Sequence, residues 1–137
     1  MPRKALLIDA EKCTGCRVCE LVCSFYHVTH FNPRRSRICV LRDYKRGKAV
    51  PTICRQCEKP ACAQACPTKA IIRNQKTGAI LIDLDRCTKC EACISACQFR
   101  GVIVDPVTKY PIKCDLCGGN PICVRFCARG AIKLAFA

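Results

Sequence analysis

The sequence predicts an α+β fold of two nested modules, residues 51–104 inside and residues 1–50 plus 105–137 outside, within one domain of 137 residues. Three observations predict it. Sixteen of seventeen cysteines form four groups: Cys13, Cys16, Cys19, Cys23; Cys54, Cys57, Cys62, Cys66; Cys87, Cys90, Cys93, Cys97; and Cys114, Cys117, Cys123, Cys127, with Cys39 alone. ALLIDAEKCTGC, from Ala5, matches AILIDLDRCTKC, from Ala79, at an offset of 74 residues that holds to Cys23 and Cys97; such internal repeats decide a fold before single elements do. CPTKAII from Cys66 matches CARGAIKL from Cys127, so the chain reads strand and group, group and strand, twice.

Taken in order, Ala5–Asp9 is a short apolar strand entering the first group. Helix is confined to a turn or two after each third cysteine, as at Glu20–Cys23 and Ile94–Cys97. Residues 31–47 are rich in Arg and Lys around a strand at Arg37–Leu41. Ala70–Ile72 and Ala79–Asp83 are joined by RNQKTG, a hairpin connection because Gly78 readily takes positive φ. Gly101–Val104 leads through Asp105 and Pro106 towards Tyr110–Lys113. The strand before the first group and AIKLAF after the fourth have no sequence neighbour to pair with. Pairing them with each other repeats the hairpin unit around the outside, so groups two and three form the inner module and groups one and four the outer.

Cysteine at about one residue in eight exceeds the roughly 8–10 % that marks a cysteine-organised fold. Disulfides fit poorly, since only Ala5–Ile8 is apolar before Asp9, short of a secretory h-region. No stretch approaches the ~20 apolar residues of a membrane span. A chain in the reducing cytoplasm, with no membrane span, is expected. The formal charge of +14 resembles that of a nucleic-acid binder. Ligation deprotonates thiols, however, and four cubanes of about −2 each would leave about +6.

In the first group the spacing is C-x2-C-x2-C-x3-C. One loop with thiolates at every third residue can hold three irons of a cubane, and the fourth ligand must come from elsewhere. In two-cluster bacterial proteins the fourth cysteine ligates the other cluster. Cys13, Cys16 and Cys19 are therefore expected on one cluster, with Cys23 reaching to its module partner. Zinc sites usually join two C-x2-C pairs and leave no thiol over, which disfavours a basic zinc-binding nucleic-acid module as the alternative.

Four such groups, with the second lengthened to CRQCEKPACAQACP and the fourth to CDLCGGNPICVRFC, resemble the dimethyl sulfoxide reductase iron-sulfur subunit family over nearly the whole chain. The resemblance implies a ferredoxin-like polyferredoxin domain with four [4Fe-4S] clusters and nested ligation. Its sets would be Cys13, Cys16, Cys19 with Cys127; Cys54, Cys57, Cys62 with Cys97; Cys87, Cys90, Cys93 with Cys66; and Cys114, Cys117, Cys123 with Cys23. The proline that often follows the fourth cysteine stands only at Pro67, with Ser24, Gln98 and Ala128 elsewhere. FYHVTHFNPRRSRICV, from Phe25, further resembles the small subunits of tungsten aldehyde oxidoreductases and those of carbon monoxide dehydrogenases.

Cys39, between Ile38 and Val40, reads as a small buried hydrophobe. His27 and His30 form H-x2-H and read as hydrogen-bonding loop supports rather than metal ligands. Arg34, Arg35 and Arg37, with Lys45, Arg46 and Lys48, form the densest basic stretch, either a solvated face or a docking face for an acidic partner. Few aromatics accompany it, against single-stranded nucleic acid. Phe25, Tyr26, Phe31 and Phe99 are expected to shield clusters from water.

No nucleophile-base pair, phosphate loop or dinucleotide fingerprint is present, and sixteen grouped thiols leave no cubane open for catalysis. The expected function is therefore an electron-transfer subunit without a catalytic centre of its own. The resemblance implies as partner a tungsten or molybdenum pterin subunit oxidising aldehydes, or alternatively a carbon monoxide dehydrogenase, hydrogenase or other reductase. Ferredoxin or a flavin- or NAD-handling subunit would stand at the far end. End-to-end self-association would lengthen the array.

Overall fold

The structure is a computed structural model that describes residues 4–136. Strand β1 (Lys4–Ile8) pairs antiparallel with β8 (Ile132–Phe136), placing Leu6 opposite Leu134 and Ile8 opposite Ile132. The expected pairing of the two terminal strands is thus present. Three hairpins complete the strands: β2 (Cys39–Asp43) with β3 (Lys48–Thr52), β4 (Ile71–Arg73) with β5 (Ile80–Ile82), and β6 (Val102–Val104) with β7 (Pro111–Lys113). The boundary at 104/105 expected between modules falls within the last hairpin, at the end of β6.

These three turns share one construction at a constant offset of 31 residues, which the sequence reading missed. Asp43, Asn74 and Asp105 each accept, through the side-chain oxygen, the N–H two residues on, from Lys45, Lys76 and Val107 at 3.1, 2.8 and 2.9 Å. The fifth residue of each turn, Gly47, Gly78 or Lys109, has φ between 65° and 74°. An Asx side chain mimicking a turn carbonyl, followed by a left-handed residue, reverses the chain.

Helix α1 (Val18–Val28) runs eleven residues, longer than the turn or two expected. Nothing after Cys23 breaks it: Ser24–Val28 contains neither glycine nor proline. Its buried stripe is Cys19, Glu20, Cys23 and Ser24, the spacing of one helical face. The other helices, α2 (Ala61–Ala65), α3 (Ala92–Ala96) and α4 (Ile122–Phe126), are five residues each. α3 begins before its third cysteine, earlier than expected. Strand β2 starts two residues later than expected, because Ser36 Oγ donates to the Ile38 carbonyl at 2.6 Å and accepts its N–H at 3.2 Å. That local loop seats fully buried Ile38 in the core.

Helix α1 packs on α4, and α2 on α3. Leu6, Ile38, Leu116 and Ile132 meet Ile53, Cys54 and Ala79 in one apolar cluster, while Ile71, Ile80 and Val102 surround Cys62 and Cys93 in another. The first cluster joins residues of the outer and inner segments.

Two residues of the basic stretch are engaged within the protein. Arg35 forms a two-pronged pair with Asp105 at 3.0 and 2.9 Å, and Arg37 donates to the Lys113 carbonyl at 3.0 Å and pairs with Asp115. Those two residues, expected on a solvated or docking face, thus carry ion pairs within the protein. Lys48 and Arg46 make exposed pairs with Glu11 and Asp43, while Arg34 and Lys45 are exposed. Burial alone would raise the Asp105 carboxyl, but Arg35 and the Val107 N–H hold it below the usual carboxylate range. Asp105 is 4 % exposed, and removing one member of such a pair strands the other charge. Asp105→Ala is expected to cost about 3 kcal/mol, read as a lower thermal midpoint of the iron-loaded protein.

Candidate metal centres

Each C-x2-C loop is bent by a left-handed residue before its second cysteine: Gly15, Gln56, Lys89 and Leu116, with φ from 49° to 75°. Such turns aim successive N–H groups into one concavity, a geometry suited to anions and iron-sulfur groups. The residue at Gly15 is also limited by space, since a Cβ there would lie 2.8 Å from an Arg42 nitrogen.

The third cysteine of each group, Cys19, Cys62, Cys93 or Cys123, is buried on a helix. The fourth follows one helical turn later, and Cys66, Cys97 and Cys127 cap the C-termini of α2, α3 and α4. After each of these three the chain turns through a left-handed residue, Lys69, Arg100 or Gly130. The N–H of the next residue then returns to the thiol: Ala70 to Cys66 at 3.3 Å, Gly101 to Cys97 at 3.3 Å, Ala131 to Cys127 at 3.4 Å. Cys23 sits within the longer α1, where this turn cannot form. Its backbone donor is instead the Arg37 N–H at 3.4 Å, from a distant segment.

Three cavities gather the thiols. One of about 280 Å³ is lined by Cys13, Cys16, Cys19 and Cys127. Another, of about 190 Å³, is lined by Cys54, Cys57, Cys62 and Cys97, with Phe99 at its wall. A tighter space of about 10 Å³ is lined by Cys66, Cys87, Cys90 and Cys93. The remaining thiols adjoin as well: burial, then the charges of Cys114, Cys23 and Cys117, push the Cys123 thiol far up.

The same crowding recurs elsewhere. Burial and Glu20 push Cys19 up to about 12, and burial and Cys62 push Cys93 up to about 11. Burial pushes Cys114 up to about 12 and Cys117 up to about 11. Packed, buried thiols resist ionisation, and a polycationic metal-sulfide core relieves that repulsion on ligation. Soft thiolate donors in fours, with backbone N–H groups aimed at sulfur, fit [4Fe-4S] clusters.

Around Cys23 the surroundings differ. His27 Nε2 donates to Asp115 at 3.0 Å and Nδ1 to the Cys23 carbonyl at 2.8 Å, with the Cys23 sulfur 3.7 Å away. Burial opposes the imidazolium, but the bonds to Asp115 and Cys23 outweigh it and raise His27 to about 9. Burial likewise opposes the Cys23 thiolate, yet His27, Arg37 and Ser36 hold this thiol below its ordinary value. His27, Asp115 and Cys117 bring ligand atoms within 4.8 Å of one another, but both His27 nitrogens are already committed. His27 is thus a hydrogen-bonding support, although on α1 rather than a loop, and His30 is exposed.

Other expected site residues fall elsewhere. Cys39 is half-buried rather than buried. Phe25 and Phe31 stack on each other at 4.9 Å on the surface, 48 % and 62 % exposed, and Tyr26 is exposed with its hydroxyl donating to the Cys117 carbonyl. Of the four aromatics, Phe99 alone lines a thiol cavity among those described. Missed from the sequence were buried Glu20, Gln56 and Lys113. Glu20 accepts the Val40 N–H at 2.6 Å and pairs with Arg17 at 2.7 Å, tying α1 to β2. Among the described residues no helix is long and apolar enough to cross a membrane.

Residues 45–136 match the family model of the 4Fe-4S dicluster domain, and residues 4–25 match that of a 4Fe-4S binding domain. The polyferredoxin-like subunit of aliphatic sulfonate oxidoreductase from Pyrococcus furiosus is 41 % identical over 122 residues, 89 % of this chain and 70 % of the relative. The B subunit of polysulfide reductase from Wolinella succinogenes is 31 % identical over 140 residues, 93 % of this chain and 73 % of the relative. One polypeptide in the structure of the BamBC active-site complex of benzoyl coenzyme A reductase with benzoyl-CoA superposes with a TM-score of 0.61 at 31 % identity, covering all of this chain and 81 % of that one. With the grouped thiols and the family match in agreement, this protein belongs to the 4Fe-4S dicluster domain family and is an iron-sulfur electron-transfer subunit of the kind found in oxidoreductase complexes.

Proposed function

We propose that this protein relays single electrons through four [4Fe-4S] clusters between a catalytic oxidoreductase subunit and a second redox carrier. The ligand sets assigned are Cys13, Cys16, Cys19, Cys127; Cys54, Cys57, Cys62, Cys97; Cys87, Cys90, Cys93, Cys66; and Cys114, Cys117, Cys123, Cys23. One observation carries the reading: in three cavities the loop thiols of one group face the last thiol of another. A bound [4Fe-4S] cluster supplies a one-electron centre whose potential follows hydrogen bonding to sulfur and burial. The protein's own residues position the thiols, aim N–H groups at sulfur and exclude water.

Cys19, Cys123, Cys114 and Cys54 pack in one buried cluster, and Cys62 and Cys93 pack in the other. This supports a linear order in which the two outer-module sets meet the two inner-module sets at the Cys114–Cys54 junction. The ends of that order, near Cys13 and Cys87, face the catalytic partner and the next carrier.

The relatives belong by name to a sulfonate oxidoreductase, a polysulfide reductase and a benzoyl coenzyme A reductase complex. Beyond those names, we favour a tungsten or molybdenum pterin subunit oxidising aldehydes, on the resemblance of residues 25–40. Ferredoxin or a flavin- or NAD-handling subunit would take the electrons, and contact between copies of the protein would extend the relay.

Anaerobic isolation tests the reading. About sixteen irons per chain with matching labile sulfide are expected, together with a copurifying catalytic subunit. Zinc in place of iron would refute it. Chelation of the iron is expected to unfold the protein, because metal ligation joins its remote segments; retention of native circular dichroism would count against that.

Gly101 gives a sharper test of one ligand set. A Cβ there would stand 2.6 Å from Cys54 Cα and 3.1 Å from its nitrogen, and backbone cannot yield as a side-chain tip can. Gly101→Ala is expected to drive the Cys54 loop from Cys97 and lose about four irons, one cluster's complement, in an iron assay. Full retention would break the assignment of Cys54 and Cys97 to one centre.

A further inference from the structure

Lys113 ends β7 immediately before the fourth cysteine group, and it is 3 % exposed. Its Nζ donates to the Ile80 carbonyl at 2.6 Å and to the Cys114 carbonyl at 3.3 Å. Ile80 lines the cavity that holds Cys54, Cys57, Cys62 and Cys97, whereas Cys114 begins the adjoining set. Gln56 spans the same junction, donating to the Cys114 carbonyl at 2.8 Å and accepting the Ile80 N–H at 2.8 Å.

An ammonium so buried requires a counter-charge. Among the described residues no carboxylate lies within ion-pair distance of Lys113. Satisfying two carbonyls does not require a cation, as the neutral Gln56 amide shows on the same Cys114 oxygen. The ligand sets assigned above, ionised on binding their clusters, would supply that negative charge from either side.

We propose that the ammonium of Lys113 raises the reduction potentials of the two clusters flanking the module junction, one on Cys54, Cys57, Cys62 and Cys97 and the other on Cys114, Cys117, Cys123 and Cys23. This rests on the four-cluster reading above. Each cluster with four thiolates carries about −2 when oxidised and gains one further negative charge on accepting an electron. A fixed positive charge therefore stabilises the reduced form more than the oxidised form. Burial keeps that interaction from being screened as surface pairs are. Lys113 is a positioning and tuning residue, not a ligand.

Potentiometric titration of the iron-loaded protein, followed by electron paramagnetic resonance, distinguishes the possibilities. Lys113→Gln keeps amide donors but removes the charge, Lys113→Met removes both, and Lys113→Arg keeps the charge. In the Gln and Met variants the reduction equilibrium of two clusters is expected to fall about tenfold or more, about 59 mV for a one-electron couple. The other two clusters should stay within about threefold, and Lys113→Arg should keep all four within that range. Unchanged potentials in both neutral variants, or an equal shift in all four clusters, would overturn the proposal. If neither neutral variant loads its full iron, Lys113 is a structural residue and the proposal falls. Failure of the wild-type protein to show four one-electron centres would instead overturn the relay reading, before any variant is compared.

Discussion

The interaction on which this fold depends is the placement of two thiols one helical turn apart on the same short helix. Residues four apart lie on one face, so Cys62 and Cys66, or Cys93 and Cys97, both turn inward. The loop of group two and the end of α3 share one cavity, and the loop of group three and the end of α2 share the next. A helix carrying such a pair is useful only beside a partner doing the reverse. That requirement explains why helices pack in twos, α1 on α4 and α2 on α3. It also explains why the terminal strands must meet, because groups one and four are separated by nearly the whole sequence and need β1 and β8 to bring them together.

The fourth cysteines solve the same problem by two different means. Around Cys66, Cys97 and Cys127 a left-handed turn brings a backbone N–H to sulfur, using Ala70, Gly101 and Ala131, all buried and small. Around Cys23 the helix continues, and a remote N–H, a histidine and a serine replace the missing turn. Hydrogen bonds to sulfur shift cluster potentials. The surroundings of Cys23 are therefore electrostatically unlike those of the three fourth cysteines held by the repeated turn. The sequence repeat at offset 74 aligns Cys23 with Cys97, yet it conceals this divergence, since Ser24–Val28 and Gln98–Val102 share spacing but not conformation.

What was legible in the sequence was what spacing controls. The grouped cysteines, the meeting of Ala5–Ile8 with Ile132–Phe136, and the Asn74–Gly78 hairpin all follow from local pattern and turn chemistry. The length of α1 was not legible, because the sequence offers no stop signal until Thr29 turns left-handed and the helical pattern competes with a ligand motif. Arg35 and Arg37 looked like surface charge because their partners, Asp105 and Asp115, lie 70 and 78 residues away. Phe25, Tyr26 and Phe31 looked like shields, yet they lie on the exposed side of the first helix and its following loop. Gln56 and Lys113 gave no signal at all: a polar residue beside a cysteine reads as loop until its neighbours are known.

That blind spot bears on the meaning of the charge. A formal +14 invites a surface explanation, but the thiols are counted as neutral in it. With sixteen thiolates around cubanes of about +2 core charge, about eight units of that excess are matched inside the molecule. The basic residues then divide by location. Arg35 and Arg37 hold the 33–38 segment against β7 and its neighbouring turns, Lys113 lies between two sets of thiols, Arg73 donates to the Gly78 and Cys57 carbonyls, and most of the other described basic residues are exposed. Location rather than number decides what each charge does, since a buried cation is screened much less from its neighbours than an exposed one, whose field fades within about 8–10 Å. Part of the basic excess is therefore internal electrostatics of the metal sites, and only the residue left after that matching is available to attract a partner.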